Sequence, residues 1–315
     1  MVSRSVAAAV LLAVVTVSCT SVAARVQSTP ESQDGARVVL PAGWPAARSV
    51  WPGPSNTGVP AGVVLHAPVT NDPNYSVAGN SVIVSRPGVT VSGLDIQGEL
   101  VIEANNVTID GVRVVDAVDA IPVLVDYTSV TGPVTIENSD LSGGSGPNCA
   151  AVVGYTHMRL LYDNIHDCAH GVQPNGDDVV QDSWIHTLDS AADAHHDGMQ
   201  ITEGSNIFIV HNFVEDQQNE VACLQVGADQ GPISNVVEED NLLNGGGYSI
   251  YGGALDGYPG YAVTNIKILN NRIMRLPEPG AYFANGGSGG PVTAIDDPQI
   301  TYQGNVWDDT STPAT

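Results

Sequence analysis

The residues best equipped for chemistry stand together just before a strand-like run: Asp193, His195, His196 and Asp197 precede the alternation Gly198-Met199-Gln200-Ile201. An imidazole titrates near neutrality, so His195 and His196 are candidate general bases. Hard oxygen ligands suit Ca2+, and Asp193, Asp197 and Asp216 form a candidate set for it. Carboxylates also work in pairs across a glycosidic bond, one protonated and one ionised. Asp193, Asp197, Glu215, Asp216 and Glu220 offer several such pairs, with Tyr251 as a candidate proton donor. The catalytic candidates are therefore His195, His196, Asp197, Glu215 and Tyr251.

A recurring phrase places these groups. His170-Gly171-Val172-Gln173, Asp197-Gly198-Met199-Gln200, Cys223-Leu224-Gln225-Val226 and Ser249-Ile250-Tyr251-Gly252 return every 25 to 27 residues. In one register, Val172, Met199, Leu224 and Ile250 become an inward column and Gln173, Gln200, Gln225 and Tyr251 an outward ladder. Three residues earlier lie His170, Asp197, Ala222 and Tyr248, where Gly171 and Gly198 suggest a turn. His166, His186 and Glu215 form a further column that is expected on the same strip of wall. The substrate-binding candidates are His166, His170, Gln173, His186, Gln200, Glu220, Gln225 and Tyr248. Tyr248, Tyr251 and Trp184 could stack sugar rings, and the insertion from Thr187 to Ala194 is expected to wall a groove.

The scaffold has its own period. Asn138, Asn164, Ser183, Asn212, Asn241 and Asn271 follow short alternating runs at intervals of 19 to 30 residues. A unit of this size, with two or three short strands and no helical pattern, cannot bury its apolar face alone; stacked in coils, it can. Asn tolerates left-handed backbone, and its amide can bond the equivalent residue one coil away. The expectation is an all-β right-handed parallel β-helix over residues 63–307, capped at its start by residues 38–62 and followed by a tail, 308–315.

The repeated coils resemble the parallel β-helix of the pectate-lyase-like superfamily. More narrowly, Pro52 to Pro60, His195 to Gln200, Gly231 to Val236 and Asn241 to Tyr248 resemble a family of secreted actinobacterial β-helix proteins. This resemblance implies carbohydrate processing, with a polysaccharide as partner and polysaccharide lyase chemistry first. The alternatives are a glycoside hydrolase using paired carboxylates and a non-catalytic glycan-binding surface protein. The pectate-lyase-like pattern usually uses Arg or Lys near the substrate. After Arg113 this chain has only Arg159, Lys267, Arg272 and Arg275, and it lacks the aspartate signature of polygalacturonases.

Composition agrees with one domain and excludes some partners. The chain has 315 residues, 43% of them hydrophobic, enough for a sizeable core. Its 34 acids against 10 bases give a net charge of -24, which argues against nucleic acid and anionic membranes. Residues 1–23 read as a secretory signal, with a basic start and a short apolar run, and 24–37 as a polar linker. Cys19 in Thr16-Val17-Ser18-Cys19 offers a lipid anchor as the alternative to free secretion. No membrane insertion is expected, and a monomer is. Cys149 and Cys168 stand at comparable positions in adjacent coils and are expected to pair, leaving Cys223 reduced.

Overall fold

The computed structural model describes residue 40 and residues 43–189, 195–253 and 260–315. The described part of the chain forms three stacked sheets, and each coil passes through them in turn. The first sheet has ten strands, among them Ala151–Tyr155, His170–Pro174, Asp197–Ile201, Ala222–Val226, Tyr248–Tyr251 and Gly290–Thr293. The second has nine, from Thr90–Ser92 to Ile300–Gln303, and the third nine, from Asp95–Ile96 to Val306–Trp307. Neighbouring strands are parallel, except that Ser76–Ala78 pairs antiparallel with Ser81–Val84. There is no helix among the described residues. The chain is a parallel β-helix.

Runs of Val, Ile and Leu at alternate positions explain the strands, because a branched side chain packs well on a pleated surface. The inward column Val172, Met199, Leu224 and Ile250 is as expected, all four fully buried in one continuous core.

The turn between the second and third sheets sets the register. In successive coils a residue with positive φ, such as Asn138 (52°), Asp182 (51°), His211 (54°), Asp240 (54°) or Asn270 (56°), precedes a buried hydrogen-bonding residue. Those buried rungs are Ser139, Asp163, Ser183, Asn212, Asn241, Asn271 and Asn305. Each receives the previous rung's backbone N–H: Ser183 donates to Asn212 at 3.0 Å, Asn212 to Asn241 at 2.9 Å, and Asn241 to Asn271 at 2.9 Å. The amide of Asn241 also donates to Ile209 O at 3.0 Å. The expected ladder therefore holds from Ser183 onward but was one residue off in two coils. Asn138 is the left-handed turn residue, and Asn164 lies one residue past the rung. Ser139 and Asp163 serve as rungs because any short oxygen acceptor can take the neighbouring N–H.

The described part of 38–62 lies along a flank of the solenoid instead of over its first coil. Arg48 N donates to Asp182 at 3.2 Å, Trp51 stacks on His211 at 4.5 Å, and Gly58 N donates to Tyr162 O. Outward apolar side chains there give the indole its partners: Trp51 packs with Leu242, Met274 and Phe213. The first coil is closed by Tyr75 and the antiparallel strand Ser76–Ala78. At the far end, 308–315 folds back on the last coil. Tyr302 Oη donates to Ala314 O at 2.6 Å, and Ala314 is fully buried.

Cys149 and Cys168 are disulfide-bonded with Cα atoms 5.3 Å apart, and Cys223 is free and buried, as expected. Polar residues interrupt the apolar interior at several points, and at Asp178 the carboxylate accepts the backbone N–H groups of Met158 and Gly176. Glu238 stands in the inward column between Ile209 and Ile268, is fully buried, and neither carboxyl oxygen has a partner. Burial pushes its carboxyl up to about 8.

Two predictions follow from these features. Asn241→Ala strands the N–H of Asn212 and the carbonyl of Ile209, so it should cost about 2–4 kcal/mol in urea unfolding. Asn206→Ala, in an exposed asparagine row, should cost less, about 1 kcal/mol, mostly from placing alanine at a left-handed φ of 60°. Glu238 is protonated in the fold, whereas the unfolded carboxyl ionises above its ordinary value of 4.5. Its contribution is therefore fully present below 4.5 and lost as pH rises through about 8. Glu238→Gln should match the parent in acid and exceed it by roughly 3–5 kcal/mol above pH 8. Parallel slopes for the two proteins would contradict this.

Candidate functional site

On the first sheet, two successive positions per strand face the core. Gly171 and Gly198 occupy the first of them, beside the fully buried Cys223 and Ser249. A Cβ on Gly171 would lie 2.4 Å from Ile185 Cγ2, and one on Gly198 would lie 2.1 Å from Val214 Cγ1, so only glycine fits. The doubled inward step leaves His170, Asp197, Ala222 and Tyr248 in register on the outer side, within the strand and not in the expected turn.

The polar ladder is as expected. Gln200 pairs in register with Gln225 and Gln225 with Tyr251, and Gln173 Nε2 donates to Gln200 Oε1 at 3.3 Å. Above Gln200, Gln225 and Tyr251 lies a groove of about 440 Å³. One wall comes from the corner between the third and first sheets: His195, Asn219, Val221, Gly247, Tyr248, Ser288 and Gly289. The opposite wall is Gly227 and Asp229. Val221 holds a left-handed backbone (φ 31°), which is strained for a β-branched residue, and such strain collects at functional sites. Gln225 lines the groove floor, with its Oε1 buried and without a partner. Among the described residues no Lys or Arg lines the groove.

At the corner beneath His195, Asp197 is fully buried. Its Oδ1 accepts Ala222 N at 3.1 Å, while Oδ2 accepts Gln200 Nε2 at 3.4 Å and faces His170 Nδ1 at 3.2 Å. His196 is only 7% exposed, and neither ring nitrogen has a partner. Burial pushes its pKa down, opposed by the Glu220 carboxylate, and the ring is neutral at pH 7. Candidate base His196 is therefore buried and is not among the residues lining the groove. Asp216 is fully buried, with Oδ1 accepting Gln218 N at 2.9 Å. Burial raises its carboxyl well above the carboxylate range, and Asp197 and Glu220 raise it further.

The expected calcium set is not assembled among the described residues. Asp197 commits both oxygens to protein donors, burial disfavours the charged form of Asp216, and Asp193 lies outside the described residues, as does the insertion from residue 190 on. Among the described residues no group of three or more His, Cys, Asp or Glu side chains is placed to hold a metal.

His166, His186 and Glu215 do not join this groove. They stand on the outer face of the third sheet, around the corner from the ladder. His186 stacks on Trp184 at 3.6 Å, and Trp184 Nε1 donates to Glu215 Oε2 at 2.8 Å. Asn244 and Tyr282 occupy Glu215 Oε1, and burial raises its carboxyl. Burial opposes a charge on His166, yet hydrogen bonds to Asp140 and Asp167 outweigh it and raise the imidazole. Burial beside His166 drives His186 down to about 3. These three residues tie neighbouring coils together.

The groove also contains residues that the repeat did not mark, namely Asn219, Val221, Asp229, Ser288 and Gly289. They lie in connecting loops, where no period operates. The only signal was the polar stretch Gln217-Gln218-Asn219-Glu220 three residues before Cys223. No protein-family model matches the chain, and neither a curated protein nor a solved structure matches it. Fold and site together define a parallel β-helix with a polar groove, floored by Gln200, Gln225 and Tyr251, across three coils of its first sheet.

Asp197→Ala strands the buried N–H of Ala222, and it should lower unfolding free energy by about 1–3 kcal/mol. His196→Leu removes two unpartnered buried nitrogens and should leave stability unchanged or higher by thermal melting. A large loss in the second variant would mean that the imidazole holds the corner together.

Proposed function

We propose that the protein is a secreted carbohydrate-active enzyme that binds a neutral polysaccharide in the first-sheet groove and hydrolyses it. One observation carries this reading: Gln200 and Gln225 line the floor with Tyr251 beside them, and among the described residues no Lys or Arg lines the walls. A uronate polymer would meet a chain of net charge -24 with nothing to neutralise its carboxylates. Among the described residues, lyase chemistry, first in the expectation from resemblance, finds no lining Lys or Arg and no assembled calcium set. Hydrolysis needs two carboxylates flanking the bond. Asp229 stands on one wall; Glu220, between the lining residues Asn219 and Val221, stands at the other. His195 lies on the same side as Glu220, and Tyr248 offers a ring for stacking.

The resemblance to secreted β-helix proteins of the pectate-lyase-like superfamily supports carbohydrate as the ligand class. The amino-terminal pattern of residues 1–23 supports export, with a lipid anchor at Cys19 as its variant, and both lie outside the described residues.

A screen of neutral and uronate polysaccharides, read by new reducing ends and by absorbance of unsaturated products, tests the proposal. Reducing ends from a neutral polymer are expected, and they should be lost in Glu220→Gln and Asp229→Asn while binding persists. Unsaturated products from a uronate polymer would overturn it in favour of the lyase. Binding of a neutral polymer without turnover would leave a glycan-binding protein.

A further inference from the structure

Glutamines line the groove floor, and an amide can turn either its carbonyl or its amino group toward a given neighbour. At Gln200 a buried carboxylate decides which. Asp197 precedes Gln200 on the same strand, is fully buried, and is not among the residues lining the groove. Its Oδ1 accepts Ala222 N at 3.1 Å, and its Oδ2 accepts Gln200 Nε2 at 3.4 Å. A carboxylate accepts and does not donate, so Gln200 turns its amino group to Asp197 and leaves its carbonyl for the preceding coil. There Gln173, itself buried, donates its Nε2 to Gln200 Oε1 at 3.3 Å. The chain from Gln173 through Gln200 to Asp197 therefore has one direction, set at its buried end.

We infer that Asp197 is a positioning residue for the groove: through Gln200 it fixes which hydrogen-bonding group the floor turns toward each part of a ligand. This rests on the proposed carbohydrate reading and adds what orients the floor of that site. A bound hydroxyl has one proton, so where it donates to one neighbour it must accept from another. The direction of the floor thus selects how the hydroxyls of a ring are arranged, and a reversed amide leaves a polar group unpaired. The direction can be reversed without removing a hydrogen bond. Asp197→Asn keeps an oxygen for Ala222 N but turns an amino group toward Gln200, which leaves one mismatched contact in the chain. Gln173→Glu puts a carboxylate at the opposite end and likewise leaves one mismatch. In the double variant the new amide donates to Gln200 and Gln200 donates to the new carboxylate, so the chain is complete and runs backwards. His170 Nδ1, 3.2 Å from Asp197 Oδ2, can accept from the new amide in its other tautomer.

The test measures urea midpoints and binding of neutral polysaccharides (glucan, xylan, mannan and galactan) for the parent, the two single variants and the double variant. Both single variants should have lower midpoints than the parent, and the double variant should regain most of the loss. Its binding should not recover: with the floor reversed, the polysaccharide that the parent prefers should bind about tenfold more weakly. Additive losses in the midpoints would mean that the chain has no direction to reverse, and would overturn the inference. Parent-level binding by Asp197→Asn or by the double variant would overturn it too, and in both cases the carbohydrate reading stands. If Asp197→Asn does not fold, a double variant more stable than Gln173→Glu alone supports the chain, and one less stable overturns it. Binding of none of the four by the parent would overturn the carbohydrate reading and with it the floor's role, while the midpoints would still decide whether Asp197 directs the chain.

Discussion

The structure depends on the hydrogen bond that passes from coil to coil at the turn between the second and third sheets. A parallel coil must reverse direction there within one left-handed residue, and the next backbone N–H would otherwise be buried without a partner. The side chain of the following coil's rung supplies the acceptor, as Asn212, Asn241 and Asn271 do in succession. Because a one-residue slip would expose the inward column and bury the outward one, the same bonds fix the register of the first sheet. The groove inherits its regular floor from that constraint.

The first sheet uses this order to build a site that a strict alternation would not allow. Two successive inward positions turn His170, Asp197 and Tyr248 outward beside the glutamine ladder, and glycine is required where the core side chains Ile185 and Val214 approach. Asp197 then ties the amide of Gln200 to the neighbouring coil. A strongly acidic protein thus presents an uncharged floor with carboxylates at the rim, an arrangement suited to hydroxyl-rich ligands and hostile to polyanions.

Periodic features were legible in the sequence. The columns of Val172 and of Gln173, and the pairing of Cys149 with Cys168, all follow from residues that recur once per coil. What escaped was set by corners and loops. His166 and His186 recur as faithfully as the glutamines, but a period cannot say which face of a three-sided coil a column occupies. Trp51 reads as part of a terminal cap, although its real partners, Leu242 and Met274, are distant in sequence and mark no pattern. Asp229 and Val221 belong to loops whose position depends on the coils they join.

The most direct test of the account is backbone amide exchange with and without a neutral oligosaccharide that the protein binds. Protection confined to strands Asp197–Ile201, Ala222–Val226 and Tyr248–Tyr251 and to the loops at Val221 and Asp229 is the predicted result. Protection centred on Asn164–His166, Trp184–His186 and Phe213–Asp216 of the third sheet would contradict it.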